Sequence, residues 1–129
     1  MKLLLDTQIA LWWLAGSPRL SPPSRRLLSR SACVVSVVSI WEVAIKHKVG
    51  KLTVPPRQFR DTLQGAGATL LSISDEHVLA TASLPTENGD PFDRLLIAVA
   101  DAEQLTLLTA DAALLALGER APRLPIREA

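Results

Sequence analysis

Four short runs, KLLL (2–5), ACVVS (32–36), TLLSI (69–73) and LTLLT (105–109), are rich in Leu and Val and do not alternate with polar residues. A strand of this kind has no face to give to water, so it must be covered on both sides. Such coverage is the property of a mainly parallel sheet whose crossover helices pack on both faces. The segments between the runs carry helix punctuation. Thr7–Ala15 stops at Gly16, a second helix takes Ser21 as N-cap and Pro22 as its first residue, and a third runs from about Ser39 to Lys48 and stops at Gly50. Further helices are expected near 57–64, over Asp75–Ser83, over 92–103 and over 112–118, with TENGDP (86–91) as a loop and LPIR (124–127) as a candidate last strand. The pattern predicts a three-layer α/β domain with a central, mainly parallel sheet flanked by helices.

The 129 residues, 48% of them hydrophobic, suffice for one well-buried core and are too few for two ordinary domains, so a single domain over 1–129 is expected. No apolar run reaches the roughly 20 residues of a membrane span. The N-terminal MKLLLDTQIALWWLAG carries Asp6 inside its hydrophobic part, unlike a signal peptide. A cytoplasmic protein without membrane contact is expected. The single cysteine, Cys33, lies in an apolar run and reads as a small core residue. Trp12 and Trp13 stand about 100° apart on one helix. Burying both in one small core is awkward, so one of them is a candidate for an interface with a second copy of the chain or with another protein.

The net charge of +1 conceals an asymmetry. Residues 1–60 hold ten Lys or Arg against Asp6 and Glu42, a net of +8; residues 61–129 hold four Arg against eleven acids, a net of −7. The basic half fits a polyanion-binding face, a salt-bridged homodimer or an acidic partner. Arg25, Arg26, Arg30, Lys46, Lys48 and Lys51, with Arg94 beside the acids, are the candidates for nucleic-acid contact. SRRLLSR also fits a solvated helix face.

In an open parallel sheet, sites form at the carboxyl ends of the strands. Asp6 directly follows LLL and Asp111 comes two residues after LTLLT, so both belong to that edge. Asp90 and Asp93 open the helix that leads into LTLLT, with Asp90 as N-cap and Asp93 at the third helical position. Glu42 borders an apolar helical stripe, where a carboxylate needs compensation. Each acid also has a structural explanation: Asp6 and Asp111 precede helices and could cap them, and Glu42 could pair with Lys46 at i, i+4. Together they are four carboxylates, Asp6, Glu42, Asp93 and Asp111, with no His or Cys in ligand-like spacing. An all-oxygen set suits Mg²⁺ or Mn²⁺ rather than zinc. His47 and His77 read as ordinary surface or helix-end residues.

The stretches LLLDTQIALWWL, SVVSIWEVAIKHKVGKL, DPFDRLLIAVA and LTLLTAD, in that order, resemble the PIN-domain ribonucleases, specifically the VapC-type toxins of bacterial toxin–antitoxin pairs. The resemblance spans nearly the whole chain. It implies a small parallel-sheet endoribonuclease in which Asp6, Glu42, Asp93 and Asp111 hold Mg²⁺ or Mn²⁺, and Thr7 and Thr109 match hydroxyl positions beside them. Asp90 aligns less well than Asp93 with the family's third acid. The implied chemistry is metal-assisted hydrolysis of RNA, leaving a 5′-phosphate and a 3′-hydroxyl, with an antitoxin and a second copy of the chain as partners.

Two other classes compete. A catalytically silent PIN fold would bind RNA or protein without cleaving. A phosphotransfer domain also places acids at strand ends, but it needs a late basic partner, and no lysine follows Lys51. A dinucleotide-binding module would need glycines after the first strand, where LDTQIA has none.

Overall fold

The computed structural model describes residues 1–85 and 89–129. Its five strands are β1 (Lys2–Leu5), β2 (Ala32–Ser36), β3 (Thr69–Leu71), β4 (Thr106–Thr109) and β5 (Ile126–Glu128). They form one parallel sheet in the order β3-β2-β1-β4-β5. The helices are α1 (Thr7–Ala15), α2 (Pro22–Arg30), α3 (Val37–Lys48), α4 (Pro56–Gly65), α5 (Asp75–Ala80), α6 (Pro91–Ala102) and α7 (Ala112–Arg120), with a 3₁₀ turn at Thr81–Ser83. Among the described residues no helix is long and apolar enough to cross a membrane.

The runs that form β1, β2 and β4 are buried on both faces, as the sequence predicts, whereas β3, at the edge of the sheet, is only half-buried. In β1, Leu3 and Leu5 join one core with Ile9, Val35, Phe59 and Leu63, while Leu4 points into a second core with Ile97, Leu107, Leu114 and Leu117. Successive strand side chains face opposite ways, so one four-residue strand serves two hydrophobic layers. β4 repeats the arrangement, with Leu108 in the first core and Leu107 in the second.

Several boundaries differ from those expected. Helix α3 begins at Val37 because Ser36, the last residue of β2, turns its hydroxyl onto the Val38 N–H and caps the helix. Strand β3 ends at Leu71. Helix α5 yields to the 3₁₀ turn before Ser83. Gly16 does end α1, at φ +61°, a left-handed conformation that favours glycine. The expected loop 86–91 lies outside the described residues over 86–88.

Two side-chain expectations are corrected. His77 stands at a helix end, in the first turn of α5, but at 3% exposure it is buried rather than on the surface. The Ser74 N–H donates to its Nδ1 (3.0 Å) while the Ser74 hydroxyl accepts the His77 N–H, forming a capping box. Because Nδ1 accepts, the ring proton sits on Nε2, which donates to Glu103 Oε1 at 2.9 Å and ties the start of α5 to the end of α6. Trp12 and Trp13 are both half-buried and pack on the first core, and Arg19 lies 5.8 Å from the Trp12 ring centre. The exposed tryptophan is Trp41.

Candidate active site

The chain builds β1, β2 and β3 in one direction, then crosses to the other side of β1 for β4 and β5. The order of connection therefore reverses between β1 and β4, and a crevice opens outside the carboxyl ends of these two strands. Asp6 follows β1 there, Asp111 follows β4, and α6 starts at the same edge because it must run back to feed β4. A cavity of about 250 Å³ occupies this place, lined by Asp6, Glu42, Asp90, Asp93 and Asp111. The structure thus brings all four predicted acids to one cavity, with Asp90 as a fifth.

Their environments differ. Asp6 is 7% exposed. Its Oδ1 accepts the Thr7 N–H at 2.8 Å, and its Oδ2 accepts the Thr109 hydroxyl at 2.8 Å. Burial pushes its carboxyl above the ordinary value; the bonds from Thr109 and Thr7 oppose the rise, and the charges of Glu42 and Asp111 add to it. Asp6 reaches only the first helical N–H, whereas a working N-cap engages the second or third. Asp90 and Asp111 do cap: Asp90 Oδ1 accepts from Phe92 and Asp93, and Asp111 Oδ1 accepts from Ala113 and Leu114. Asp93 is half-buried at the third position of α6, as expected.

The two threonines join these acids. Thr109, fully buried, donates to Asp6 and accepts the Asp111 N–H at 3.0 Å, so one hydroxyl fixes the acids after β1 and β4. Thr7 Oγ1 lies 2.8 Å from Ser39 Oγ and 2.7 Å from Glu42 Oε1. An ionised carboxylate only accepts, so the single Thr7 proton goes to Glu42 and Ser39 supplies the proton of the other bond. Ser39 was not among the candidates, although it lies three residues before Glu42 and so shares its helix face. Gln8, Leu11 and Trp12 also line the cavity. The i, i+3 and i, i+4 spacing from Gln8 puts them on one face of α1 beside Asp6.

Of the basic candidates, Lys46 lines the cavity and pairs with Glu42 Oε2 at 2.7 Å. Lys51 precedes Leu52 at the cavity wall. Arg25, Arg26 and Arg30 lie exposed on α2; the Arg25 guanidinium donates to Ser17 O, and Arg30 ends a helix that leads to the opposite edge of the sheet. Lys48 is exposed at the end of α3. Arg94 is half-buried and donates to the carbonyls of Thr81 and Pro85, bracing the chain before α6.

The donor set is all oxygen, which fits Mg²⁺ or Mn²⁺ by its chemistry. Among the described residues no three Asp, Glu, His or Cys side chains stand close enough to form a ready-made ion cage. Mg²⁺ keeps several waters and binds through one or two carboxylates plus substrate phosphate, so it does not require such a cage.

The PIN-domain family model matches residues 3–119. The chain belongs to the PIN-domain family. This PIN domain is similar to one chain in each of three solved structures, over almost the full length of that chain. VapBC2 from Rickettsia felis bound to a promoter DNA fragment is 20% identical, with TM-score 0.70, covering 99% of this chain and 98% of that one. DNA-bound VapBC from Salmonella typhimurium is 17% identical, with TM-score 0.69 and the same coverage. A member of the VapBC family of toxin-antitoxin systems from Mycobacterium tuberculosis is 20% identical, with TM-score 0.60, covering 98% and 96%. At these identities the likeness is one of fold. No curated protein matches the sequence.

Proposed function

We propose that this PIN domain is a Mg²⁺- or Mn²⁺-dependent endoribonuclease and the toxin of a toxin–antitoxin pair. The observation that carries the reading is the convergence of Asp6, Glu42, Asp90, Asp93 and Asp111 on one cavity at the strand-order reversal. Among the described residues no His or Cys lines it, which leaves an oxygen-ligated cation as the natural source of catalytic power. Asp6, Asp93, Asp111 and Glu42 would hold it. When bound, a divalent cation lowers the pKa of a coordinated water and offsets charge on the scissile phosphate. The protein's part is orientation: Thr109 aims Asp6, Thr7 aims Glu42, and the cap of α7 fixes Asp111 by one oxygen.

Protein freed of bound partners is expected to cleave RNA with Mg²⁺ or Mn²⁺ and to stop in EDTA, read as fragments carrying 5′-phosphate and 3′-hydroxyl ends. Undiminished cleavage in chelator would refute the mechanism, and RNA binding without cleavage under any metal would point to a silent binding module.

An antitoxin partner is supported by the similarity to toxin–antitoxin complexes. A second copy of the chain is supported by a different surface from that first expected. Trp41 and Ile45 on α3 and Val49 at its C-cap, spaced i, i+4 and i+8, are 57%, 39% and 61% exposed. Phe92 packs edge-on against Trp41 at 5.0 Å. An apolar stripe with an aromatic anchor has the composition of an interface core. Trp41→Asp is expected to convert a dimer to a monomer by light scattering with its circular dichroism unchanged. A wild type that stays monomeric at its highest soluble concentration would exclude this interface.

A further inference from the structure

Both oxygens of Glu42 are engaged by side chains, Oε1 by Thr7 and Oε2 by Lys46. The Glu42 side chain is 13% exposed and that of Lys46 45% exposed, and both line the cavity. A Glu-to-Lys pair at i, i+4 is an ordinary helix-stabilising contact. Two features set this one apart. Its carboxylate belongs to the acidic cavity and is held from its other side by Thr7. Its ammonium, whose proton is held more tightly chiefly by the bond to Glu42, also lies in the attractive fields of Asp90 and Asp6. Lys46 therefore stands where the cavity's negative potential favours a cation, and it occupies an oxygen that a divalent cation would need.

We propose that Lys46 is an internal counter-ion that competes with the divalent cation for Glu42 and is displaced when the ion binds. The inference rests on the metal-dependent reading above and adds to it a device that sets metal affinity. Lysine suits the role. Its charge is a compact point on a flexible four-carbon stem, so it can swing away without disturbing α3. Its half-exposed head regains water when it leaves. While paired, it keeps Glu42 aligned with Thr7 and offsets part of the repulsion among the acids. The arriving ion therefore meets a carboxylate already oriented by Thr7 and has to replace an ammonium at its second oxygen.

The test combines Mn²⁺ affinity by calorimetry with the Lys46 ammonium signal by NMR. Lys46→Met keeps most of the length of the side chain and its helix propensity, and is expected to bind Mn²⁺ roughly two- to fivefold more tightly, the scale of a partly exposed ion pair. That gain must vanish when Glu42→Gln is the background, because the contested oxygen is then gone. In wild-type protein Mg²⁺ should shift or broaden the Lys46 ammonium resonance that the ion pair protects. A gain of the same size in both backgrounds would show only the loss of a nearby positive charge and would overturn the proposal, as would an ammonium resonance indifferent to Mg²⁺. Failure of both wild type and Lys46→Met to bind Mn²⁺ would overturn the metal-dependent reading itself, a distinct result from equal, measurable affinities, which would overturn the competition alone.

Discussion

Asp6→Asn is expected to reduce RNA cleavage by about 10²- to 10⁴-fold, since a ligand that holds a catalytic cation contributes several kcal/mol and each 1.36 kcal/mol is tenfold in rate. The size follows from where Asp6 sits. It ends the central strand, is nearly buried, and is gripped by Thr109 and the Thr7 N–H, so neither water nor a neighbouring acid can readily take its place. Asp90→Asn is the matched comparison. Asparagine caps a helix as well as aspartate does, so this change removes a charge from the same cavity and keeps the bonds to Phe92 and Asp93. It should leave cleavage within about tenfold of wild type if Asp90 serves mainly as a cap, because a charge at an exposed helix start contributes only ~0.3–1 kcal/mol. Initial rates on one RNA at saturating Mg²⁺ decide the matter. An Asp6→Asn protein with more than a tenth of wild-type activity would remove Asp6 from the site.

What the sequence made legible is what depends on local pattern. Strands β1, β2 and β4 could be read because their Leu and Val runs lack a wet face. Once the sheet is parallel, Asp6 and Asp111 must share its carboxyl edge. Asp93 could not be placed by that logic, since only the crossing from β3 over to β4 brings the start of α6 to the same edge. The features that escaped depend on partners far apart in sequence. The burial of His77 could not be read because nothing nearby announces Glu103, 26 residues on, which receives its Nε2 proton. Trp12 and Trp13 suggest an awkward pair until α1 is seen packed on the first core, where each is half-covered. Trp41 reads as part of a helix, but α3 turns Val43 into one core and Val38 into the other and leaves Trp41 exposed. The Ser39, Thr7 and Glu42 hydroxyl–carboxylate chain joins residues 32 and 35 positions apart, and helical spacing gave only its Ser39–Glu42 side.

The same Asp6→Asn protein is expected to melt higher than wild type when metal is absent and to lose most of the rise that metal gives wild type. Burial and the charges of Glu42 and Asp111 lift the folded-state Asp6 carboxyl above its ordinary value near 3.8, so the folded chain holds this proton more tightly than the unfolded chain. Asp6 therefore costs the fold stability as pH climbs from about 3.8 through the raised folded value, and above it the whole cost is present. Asparagine has no such charge. Its amide must take one of the two positions now held by carboxylate oxygens, however. Facing Thr109, it would donate to Oγ1 and leave the threonine proton without its acceptor, offsetting the gain by about 0.5–1.5 kcal/mol. A net gain of about 1 kcal/mol would raise the melting temperature in EDTA by about 3–5 °C for a domain of this size. The gap should be widest at neutral pH and close as pH falls toward 3.8, because wild-type Asp6 then becomes neutral too. Adding Mg²⁺ or Mn²⁺ at about 100 times its dissociation constant should stabilise wild type by about 2.7 kcal/mol, reversing the order of the two proteins. Thermal melts across pH 4–8, with chelator and with metal, read all three effects. If Asp6→Asn melts well below wild type in EDTA yet keeps the full metal-induced rise, Asp6 is a structural residue between β1 and α1, and the cation is held by the other acids of the cavity.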